Sequence, residues 1–518
     1  MLILALKPGH DGAIAAIRDG RLLFSIEAEK DSYRRYTDLT AATVLAAAEL
    51  CDQIPDVVAL GGWYRRGAID QRIGAGYEGF EIHRELRTLF GKKVRYFSSS
   101  HERSHLMMAL GMAPETDAEL RTVLVWEGYT GAFYLVDRQM RVVEKIPVLS
   151  QPGVRYASLF SIADPGYPDE ATNQRFEDSG KLMALAAFAR PQDADQQAAE
   201  VVDRLLRPDA VLPLPKSDFR SSPLHNAGVT SPVAKSAAAL LSHRIFETFR
   251  EAAGLRLPAG TPLHISGGCG LNCDWNGLWR QCAHFSSVFV PPCTNDSGSA
   301  IGTAIDAMFH ETGRQTLDWD VYSGLPFEMD TAPDPAGWSA QRFDPHRLGE
   351  ALSAGRVVAW VQGKWEIGPR ALGHRSLLAE PFDPRTKDRL NAIKAREDYR
   401  PIAPVCRAED VAALFDTDFP DPHMLYFRRV RDAGLGAVTH VDGTARVQTV
   451  TRDEEPVLHS LLTSFAEQRG AGILCNTSLN FNGRGFINRM SDLVDYCEAR
   501  GVDDMVVDDV WYSKTDSR

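Results

Sequence analysis

His101 and His105 stand four residues apart in the stretch HERSHLMMALGM. On a helix that spacing puts both imidazoles on one face, where they can reach a single ion while the apolar residues beyond pack inward. Two ligands do not complete a metal site. The acidic residues at strand-loop junctions that can join them are Glu127, in VWEG, and Asp296, in PPCTNDSGSAIGTAI. Two imidazoles and two carboxylates, with positions left for water or substrate, suit a borderline cation such as Fe²⁺, Mn²⁺ or Zn²⁺ better than Ca²⁺. The plainer alternative is a pair of histidines on a helix surface or bonded to each other. Cys269 and Cys273 also invite a zinc reading, but their spacing is loose and no second Cys/His pair follows nearby.

A second constellation is cationic. Lys364, Arg370, His374, Arg375, Lys394, Arg396, Arg400, Arg446 and Arg484 crowd the C-terminal third of an acidic chain, most of them beside Gly or Pro. GKWEIGPRALGHRS, KAREDYRPIAPV, HVDGTARVQTV and NTSLNFNGRG read as loops at strand ends, where forked guanidinium groups can bind phosphate or carboxylate oxygens. Any one of these arginines is well explained by solvent or a salt bridge; four clusters together point to an anion pocket. A third feature is Gly267-Gly268 in HISGGCGLN, between a strand and a helix. Backbone N–H groups there can approach an anion or a sugar without a Cβ in the way, although a tight turn would use the same residues.

These groups need elements to hold them. LILAL-KPGHDG-AIAAI-RDG-RLLFSIEAE reads as strand, Gly-rich loop, strand, Asp-Gly turn and strand. TVLVW-EGYTG-AFYLVD-RQM-RVVEKIP repeats the order from Thr122, which suggests a duplicated fold whose two hairpins can hold a nucleotide's phosphates. Between and after the copies, TAATVLAAAELCDQI, SHLMMALGM, GKLMALAAFA and SPVAKSAAALLSHRIFETFREAAG have helical spacing, with a Gly/Pro-rich segment from Gln151 to about Asp178. Pro, Asp and Gly between Tyr322 and Asp344 mark a linker. Beyond it Asp344-Pro345 should cap the helix HRLGEALSAG, followed by the strand RVVAWVQ.

The bulk properties narrow the class. A chain of 518 residues exceeds one hydrophobic core, and 44% hydrophobic with 24% charged residues is a globular composition. With 57 Lys+Arg against 69 Asp+Glu the net charge is −12, which opposes non-specific attraction to nucleic acid or anionic membrane. No apolar run reaches a membrane-spanning length, and MLILALKPGHDG meets Pro, Gly and charge too early for a secretory signal. Eight cysteines without a CxxC pair fit reduced thiols. The expectation is a cytoplasmic protein whose partners are small molecules, with no nucleic acid and no membrane; oligomeric state is not legible.

GHDG with the following EAEK, the His101/His105 pair, SGGCGLN, NDSGSAIG, GPRALGHRS, KAREDYRPIAP and NTSLN together resemble, in order and over nearly the whole chain, the motifs of the antibiotic O-carbamoyltransferases related to nodulation carbamoyltransferases, most closely the cephem-type members. The resemblance implies an α/β fold. Residues 1–335 would form a duplicated actin/sugar-kinase-like (ASKHA) domain that transfers the carbamoyl group, and residues 345–518 a YrdC-like α/β domain that makes carbamoyl-adenylate from ATP and carbamoyl phosphate. It implies Mg²⁺ with the ATP, and Fe²⁺ or a similar divalent cation on His101, His105, Glu127 and Asp296; the family pattern has Asp where this chain has Glu127. Lys394, Arg396, Arg446 and Ser478, with Asn476 beside them, match residues that bind carbamoyl phosphate and ATP. Gly267, Gly268 and Asn272 would hold the carbamoyl-adenylate in the N-terminal domain. His10 matches the base that takes the acceptor's proton, and the basic residue facing the nucleotide is Lys30, Arg34 or Arg35.

The chemistry is consistent. An alkyl alcohol is a poor nucleophile and carbamate a poor electrophile, so the donor has to become a mixed anhydride, and a labile anhydride calls for an enclosed passage between the two sites. Trp63, Tyr64 and Arg65, in GGWYRRGAIDQ, are candidates for the acceptor pocket. The resemblance points to a hydroxymethyl-bearing β-lactam; a macrolide, aminoglycoside or nucleoside hydroxyl fits the same chemistry. Two other readings use the same parts. A tRNA threonylcarbamoyl-type enzyme would need the basic stripe that the net charge opposes. A nucleotide-dependent switch would leave the C-terminal domain without a purpose.

Overall fold

A computed structural model of the chain describes residues 1–32, 34–62, 74–171, 175–210, 213–481 and 485–515. The chain divides into two compact units, residues 1–112 with 296–518, and residues 113–295.

In the first unit, β1 (Leu2–Lys7), β2 (Ala13–Arg18) and β3 (Arg21–Glu27) run antiparallel, as the apolar β-formers broken by turn chemistry require. Asp19 and Gly20, which join β2 to β3, both have positive φ (50° and 87°), the conformation that lets a two-residue turn match the twist of its strands. β4 (Val57–Gly61), β5 (Ile82–Leu89) and β6 (Lys92–Ser99) complete a sheet of order β3-β2-β1-β4-β6-β5, in which β4 and β6 run parallel to β1.

The helix His101–Gly111 follows β6. Ser100 caps it by accepting the Arg103 N–H, and every one of its residues is buried. It lies against the helix Ser299–Thr312. Arg103 donates two hydrogen bonds to Asp306, at 2.6 and 2.8 Å, and the Ser104 and Thr303 hydroxyls meet at 2.8 Å. Backbone contact sets the spacing, since a Cβ on Gly302 would lie 1.9 Å from the Ser104 carbonyl oxygen.

The second unit repeats the pattern. β7 (Leu120–Trp126), β8 (Gly131–Asp137) and β9 (Val142–Pro147) form the antiparallel triplet; β10 (Leu263–Ser266) runs parallel to β7 and β11 (Val288–Phe289) parallel to β10. The order β11-β10-β7-β8-β9 matches β6-β4-β1-β2-β3 strand for strand, so the expected duplication is present. One difference lies in the Gly/Pro-rich segment after Gln151, which contains the buried helix Pro152–Ala163. Pro152 occupies its first turn, where a missing N–H costs nothing, and Gly153 packs where a Cβ would meet the Glu127 carbonyl oxygen at 3.0 Å.

The C-terminal part of the first unit has β12 (Trp338–Arg342), β13 (Val358–Val361), β14 (Arg375–Ala379), β15 (Ala403–Arg407), a small ribbon of β16 (Arg428–Arg429) and β17 (Thr444–Ala445), then β18 (Gln448–Val450), β19 (Ile473–Ser478), β20 (Asp504–Val507) and β21 (Val510–Lys514). Eight of these strands make one mixed sheet, β12-β21-β20-β13-β14-β19-β15-β18. Alternate residues feed two cores: Ala359 and Val361 lie in one cluster, Val358 and Trp360 in the other. Asp344 caps the helix Pro345–Ser353 as expected. β12 lies in the stretch read as linker and pairs with β21. Among the described residues no helix is long and apolar enough to cross a membrane.

Because backbone meets backbone at the helix crossing, Gly302→Ala is expected to cost about 1–3 kcal/mol of stability, the usual scale of overpacking, read as a lower denaturant midpoint at unchanged slope.

Candidate functional site

The first site gathers at Asp296, which enters the first unit just before the helix Ser299–Thr312. Its carboxylate is buried, with His105 Nε2 at 3.3 Å, His101 Nε2 at 3.5 Å, and Lys7 Nζ and His10 Nε2 each at 3.6 Å. His101 and His105 are also buried, and their Nε2 atoms are 3.2 Å apart, as i, i+4 spacing on a helix provides. Tyr77 stacks on the His101 ring at 4.5 Å and fixes its orientation. Burial raises the proton affinity of Asp296, but the charges on His101 and Lys7 and hydrogen bonds from both imidazoles outweigh it and hold the carboxyl well below the usual range. An anionic oxygen pair facing two imidazole nitrogens is a donor set that fits a borderline divalent cation.

His10 occupies the Gly-rich loop after β1. Its Nδ1 is 3.3 Å from Asp11, whose backbone takes a left-handed φ of 53°, and this pairing directs Nε2 toward Asp296. Each ring nitrogen of His10 thus faces a carboxylate. Lys7, at the end of β1, bonds to the His10 carbonyl oxygen and places an ammonium beside the same carboxylate. Asp11 lies within GHDG but was given no role there, and Lys7 carries no motif of its own; a lysine at a strand's end before a Gly-rich loop was the available signal.

Of the basic residues after β3, Lys30 is buried and bonded to Glu27 at 2.8 Å, whereas Arg35 is partly exposed and lies 3.3 Å from Glu29. Arg34 is exposed. Glu127, in the second unit, is buried at the end of β7, where its Oε1 accepts the Thr130 N–H at 3.2 Å. Gly267 has φ 97°, and a Cβ there would lie 2.5 Å from the Trp126 carbonyl oxygen, so only glycine fits this turn after β10. Gly268 next to it has open space where a Cβ would go. Asn272 caps the helix Cys273–Gln281 with its side-chain oxygen, and its Nδ2 is buried without a hydrogen-bond partner among the described residues. Trp63, Tyr64, Arg65 and Arg484 lie outside the described residues.

The second site is built on β19 and the end of the helix Pro384–Ile393. Lys394 is buried, and its ammonium donates to the Ser478 hydroxyl at 3.2 Å and to the Asn480 side chain. Ala395, with φ 46°, turns the chain so that Arg396 follows, held by Asn391 at 2.6 Å. The Arg446 Nε is buried with no partner among the described residues. Asn476 donates to the Ala371 carbonyl at 3.2 Å and to Gln448 at 2.9 Å. Burial, then the guanidinium groups of Arg396, Arg400 and Arg500, hold the Lys394 ammonium well below the usual lysine range; burial and Arg400 push Arg396 down to about 9. Lys394, Arg396, Asn476 and Ser478 thus converge, with Asn391, Gln448 and Asn480 as supports that the sequence did not single out. Three cations stand close together here with Glu397 as the nearby acid, 3.7 Å from Arg400, a surplus of positive charge that suits an anion.

The sequence matches the family description "Carbamoyltransferase N-terminus" over residues 68–305 and "Carbamoyltransferase C-terminus" over residues 349–514. It is 61% identical to the 3'-hydroxymethylcephem-O-carbamoyltransferase of Amycolatopsis lactamdurans, covering all of both chains, and 61% identical to that of Streptomyces clavuligerus, covering 99% of each. Nodulation protein U of Rhizobium tropici is 33% identical, over 99% of this chain and 96% of its own. The activator of the 2-hydroxyisocaproyl-CoA dehydratase from Clostridium difficile, solved with ADPNP, aligns with 61% of this chain and 97% of its own at 13% identity and a TM-score of 0.37. A duplicated α/β layout and a further eight-stranded mixed sheet make up the chain. The chain belongs to the carbamoyltransferase family, and its activity is carbamoyl transfer.

An anion arriving among Lys394, Arg396 and Arg400 relieves their mutual repulsion and restores the lysine's ordinary proton affinity. Between the depressed pKa of the free protein and the usual value near ~10.4, binding of an anion such as inorganic phosphate should therefore take up a proton and weaken as pH rises. Calorimetry at pH near ~8 in buffers of different ionisation enthalpy reads this uptake, which Lys394→Met should abolish.

Proposed function

We propose that the protein is an ATP-dependent O-carbamoyltransferase of antibiotic tailoring that carries a carbamoyl group from carbamoyl phosphate, through carbamoyl-adenylate, to the hydroxymethyl oxygen of a cephem nucleus. The observation that carries this reading is the 61% identity, over full length, to two hydroxymethylcephem O-carbamoyltransferases. The setting proposed is the cytoplasm, with small molecules as the only partners.

In the C-terminal site, carbamoyl phosphate loses phosphate to water and leaves carbamate. A carbamate oxygen then attacks the α-phosphorus of ATP, and pyrophosphate departs with the electrons of the broken P–O bond. Lys394, Arg396 and Arg446 bind the anionic oxygens, and Asn476 and Ser478 orient them; Mg²⁺ accompanies the ATP. Asn391 acts through Arg396 by fixing its fork.

In the N-terminal site, the acceptor oxygen attacks the carbamoyl carbon, a C–O bond forms, and AMP leaves with the electrons of the anhydride bond. His10 accepts the hydroxyl proton on its imidazole. His101, His105 and Asp296 would hold a divalent cation, Fe²⁺ on the family resemblance, with Glu127 assigned to it from the sequence alone. That ion, when bound, supplies Lewis-acid charge for the oxygens on which negative charge develops. Gly267, Gly268 and Asn272 are assigned to the adenylate. Trp63, Tyr64 and Arg65 are assigned to the acceptor.

Incubation with ATP, carbamoyl phosphate and a panel of hydroxylated antibiotics should give a mass gain of one CONH unit on the hydroxymethyl cephem. His10→Ala should lower transfer by about a hundredfold or more, the worth of a positioned base, while carbamate-dependent pyrophosphate release persists. Loss of both would make His10 structural, and absence of pyrophosphate from the unaltered enzyme would end the adenylate reading.

A further inference from the structure

Glu27, at the end of β3, is buried and none of the roles above uses it. Its Oε2 accepts the Ser297 hydroxyl at 2.9 Å, and Ser297 follows Asp296 directly. Its Oε1 accepts the backbone N–H of Gly368 at 2.7 Å and the Lys30 ammonium at 2.8 Å. Lys30 in turn donates to the Glu366 carbonyl and lies 4.7 Å from the Phe486 ring centre. Gly485 packs so closely on the same turn that a Cβ would come within 2.2 Å of the Lys30 carbonyl oxygen. One carboxylate therefore joins the loop of Asp296 to the segment 366–372 of the C-terminal part.

The far end of that segment is tied to the other site. The Glu366 side chain, also buried, accepts the Leu372 N–H at 2.5 Å and closes the segment into a tight loop. The Ala371 carbonyl accepts from Asn476, and the Leu372 carbonyl accepts from Gln448 and from the Tyr322 hydroxyl, each of the latter two at 2.7 Å. Gln448 accepts the second Asn476 bond. The result is a series of hydrogen bonds, joined by the backbone of residues 368–372, running from Asp296-Ser297 through Glu27 and Gly368 to Asn476.

We infer that Glu27 is a positioning residue which, through the strap 366–372, couples formation of the activated carbamoyl group at the Asn476 end to its consumption at the Asp296 end. This rests on the two-step reading above. Glu27 touches neither reacting group. Its carboxylate sets where the Gly368 loop sits relative to the loop of Asp296, and displacement of one against the other lets the adenylate meet water before the acceptor. An interaction series of this kind demonstrates coupling only when its removal separates the two steps.

The experiment measures pyrophosphate release, carbamoylated hydroxymethyl cephem and backbone hydrogen exchange in the full chain, in Glu27→Ala and in Ser297→Ala, which deletes only the hydroxyl donor. In Glu27→Ala, pyrophosphate release should stay within about threefold of the unaltered enzyme, while product per pyrophosphate falls about tenfold or more. Ser297→Ala should move the ratio the same way by less. Exchange should quicken together at residues 295–298 and 366–372. Product per pyrophosphate unchanged in Glu27→Ala overturns the inference and leaves the two-step reading standing. Parallel loss of both activities in a folded variant also overturns it. If the unaltered enzyme releases no pyrophosphate, the two-step reading fails, and the coupling role fails with it; the exchange arm then reports only whether the strap is mechanically joined. Should Glu27→Ala not fold, Glu27→Gln keeps an acceptor oxygen and loses the ion pair with Lys30, and the same ratio decides.

Discussion

Burying a carboxylate costs several kcal/mol unless positive charge and hydrogen bonds replace the lost water. At Asp296 the replacement comes from four side chains on two separate stretches: Lys7 and His10 at the end of β1 and in the loop after it, His101 and His105 on the helix that follows β6. Each stretch is positioned by a different feature of the fold. β1 is central in its sheet, Ser100 starts the helix at the right residue, and Gly302 lets the helix bearing Asp296 at its foot approach the histidine helix at backbone distance. The buried Arg103–Asp306 pair fixes the register of that approach. Remove the carboxylate, and three imidazoles and an ammonium are left facing one another.

The C-terminal site has the opposite imbalance. Lys394 and Arg396 are held by neutral partners, Ser478, Asn480 and Asn391, and each is disfavoured as a cation by burial and by its cationic neighbours. A folded protein tolerates this where an anion completes the charge balance during turnover. The two sites thus differ in charge: a buried carboxylate among imidazoles and one ammonium in the first, a surplus of cations in the second.

The sequence made some of this legible and hid the rest for physical reasons. Apolar strands broken by Asp-Gly and Gly-rich loops predicted the duplicated antiparallel triplets, because turn chemistry and alternation are local signals. Asp344 announced its helix for the same reason. Gln151-Pro152-Gly153 misled, since residues that read as a turn serve here as the first turn of a buried helix. The His101/His105 spacing showed a shared face, but only the fold brings Asp296 to it across nearly the whole first half of the chain. Lys7 and Asn391 lay outside the motifs, and Glu27 and Gln448 lay inside EAEK and HVDGTARVQTV without a role, because each acts through contacts distant in sequence, or through a neighbour whose role is itself not local. The segment GPRALG read as an anion loop because of Arg370 and its glycines. Its backbone at Gly368, Ala371 and Leu372 also supplies bonds to Glu27, Gln448 and Asn476, which no local signal announced.

The central claim, that Asp296 and the two imidazoles form a cation site, is tested most directly by elemental analysis. The protein and Asp296→Asn, matched for folding by circular dichroism, would be loaded with Fe²⁺ or Mn²⁺ and dialysed. The expected result is about one equivalent retained by the unaltered chain and almost none by the variant. Equal retention in both, or none in either, would contradict it.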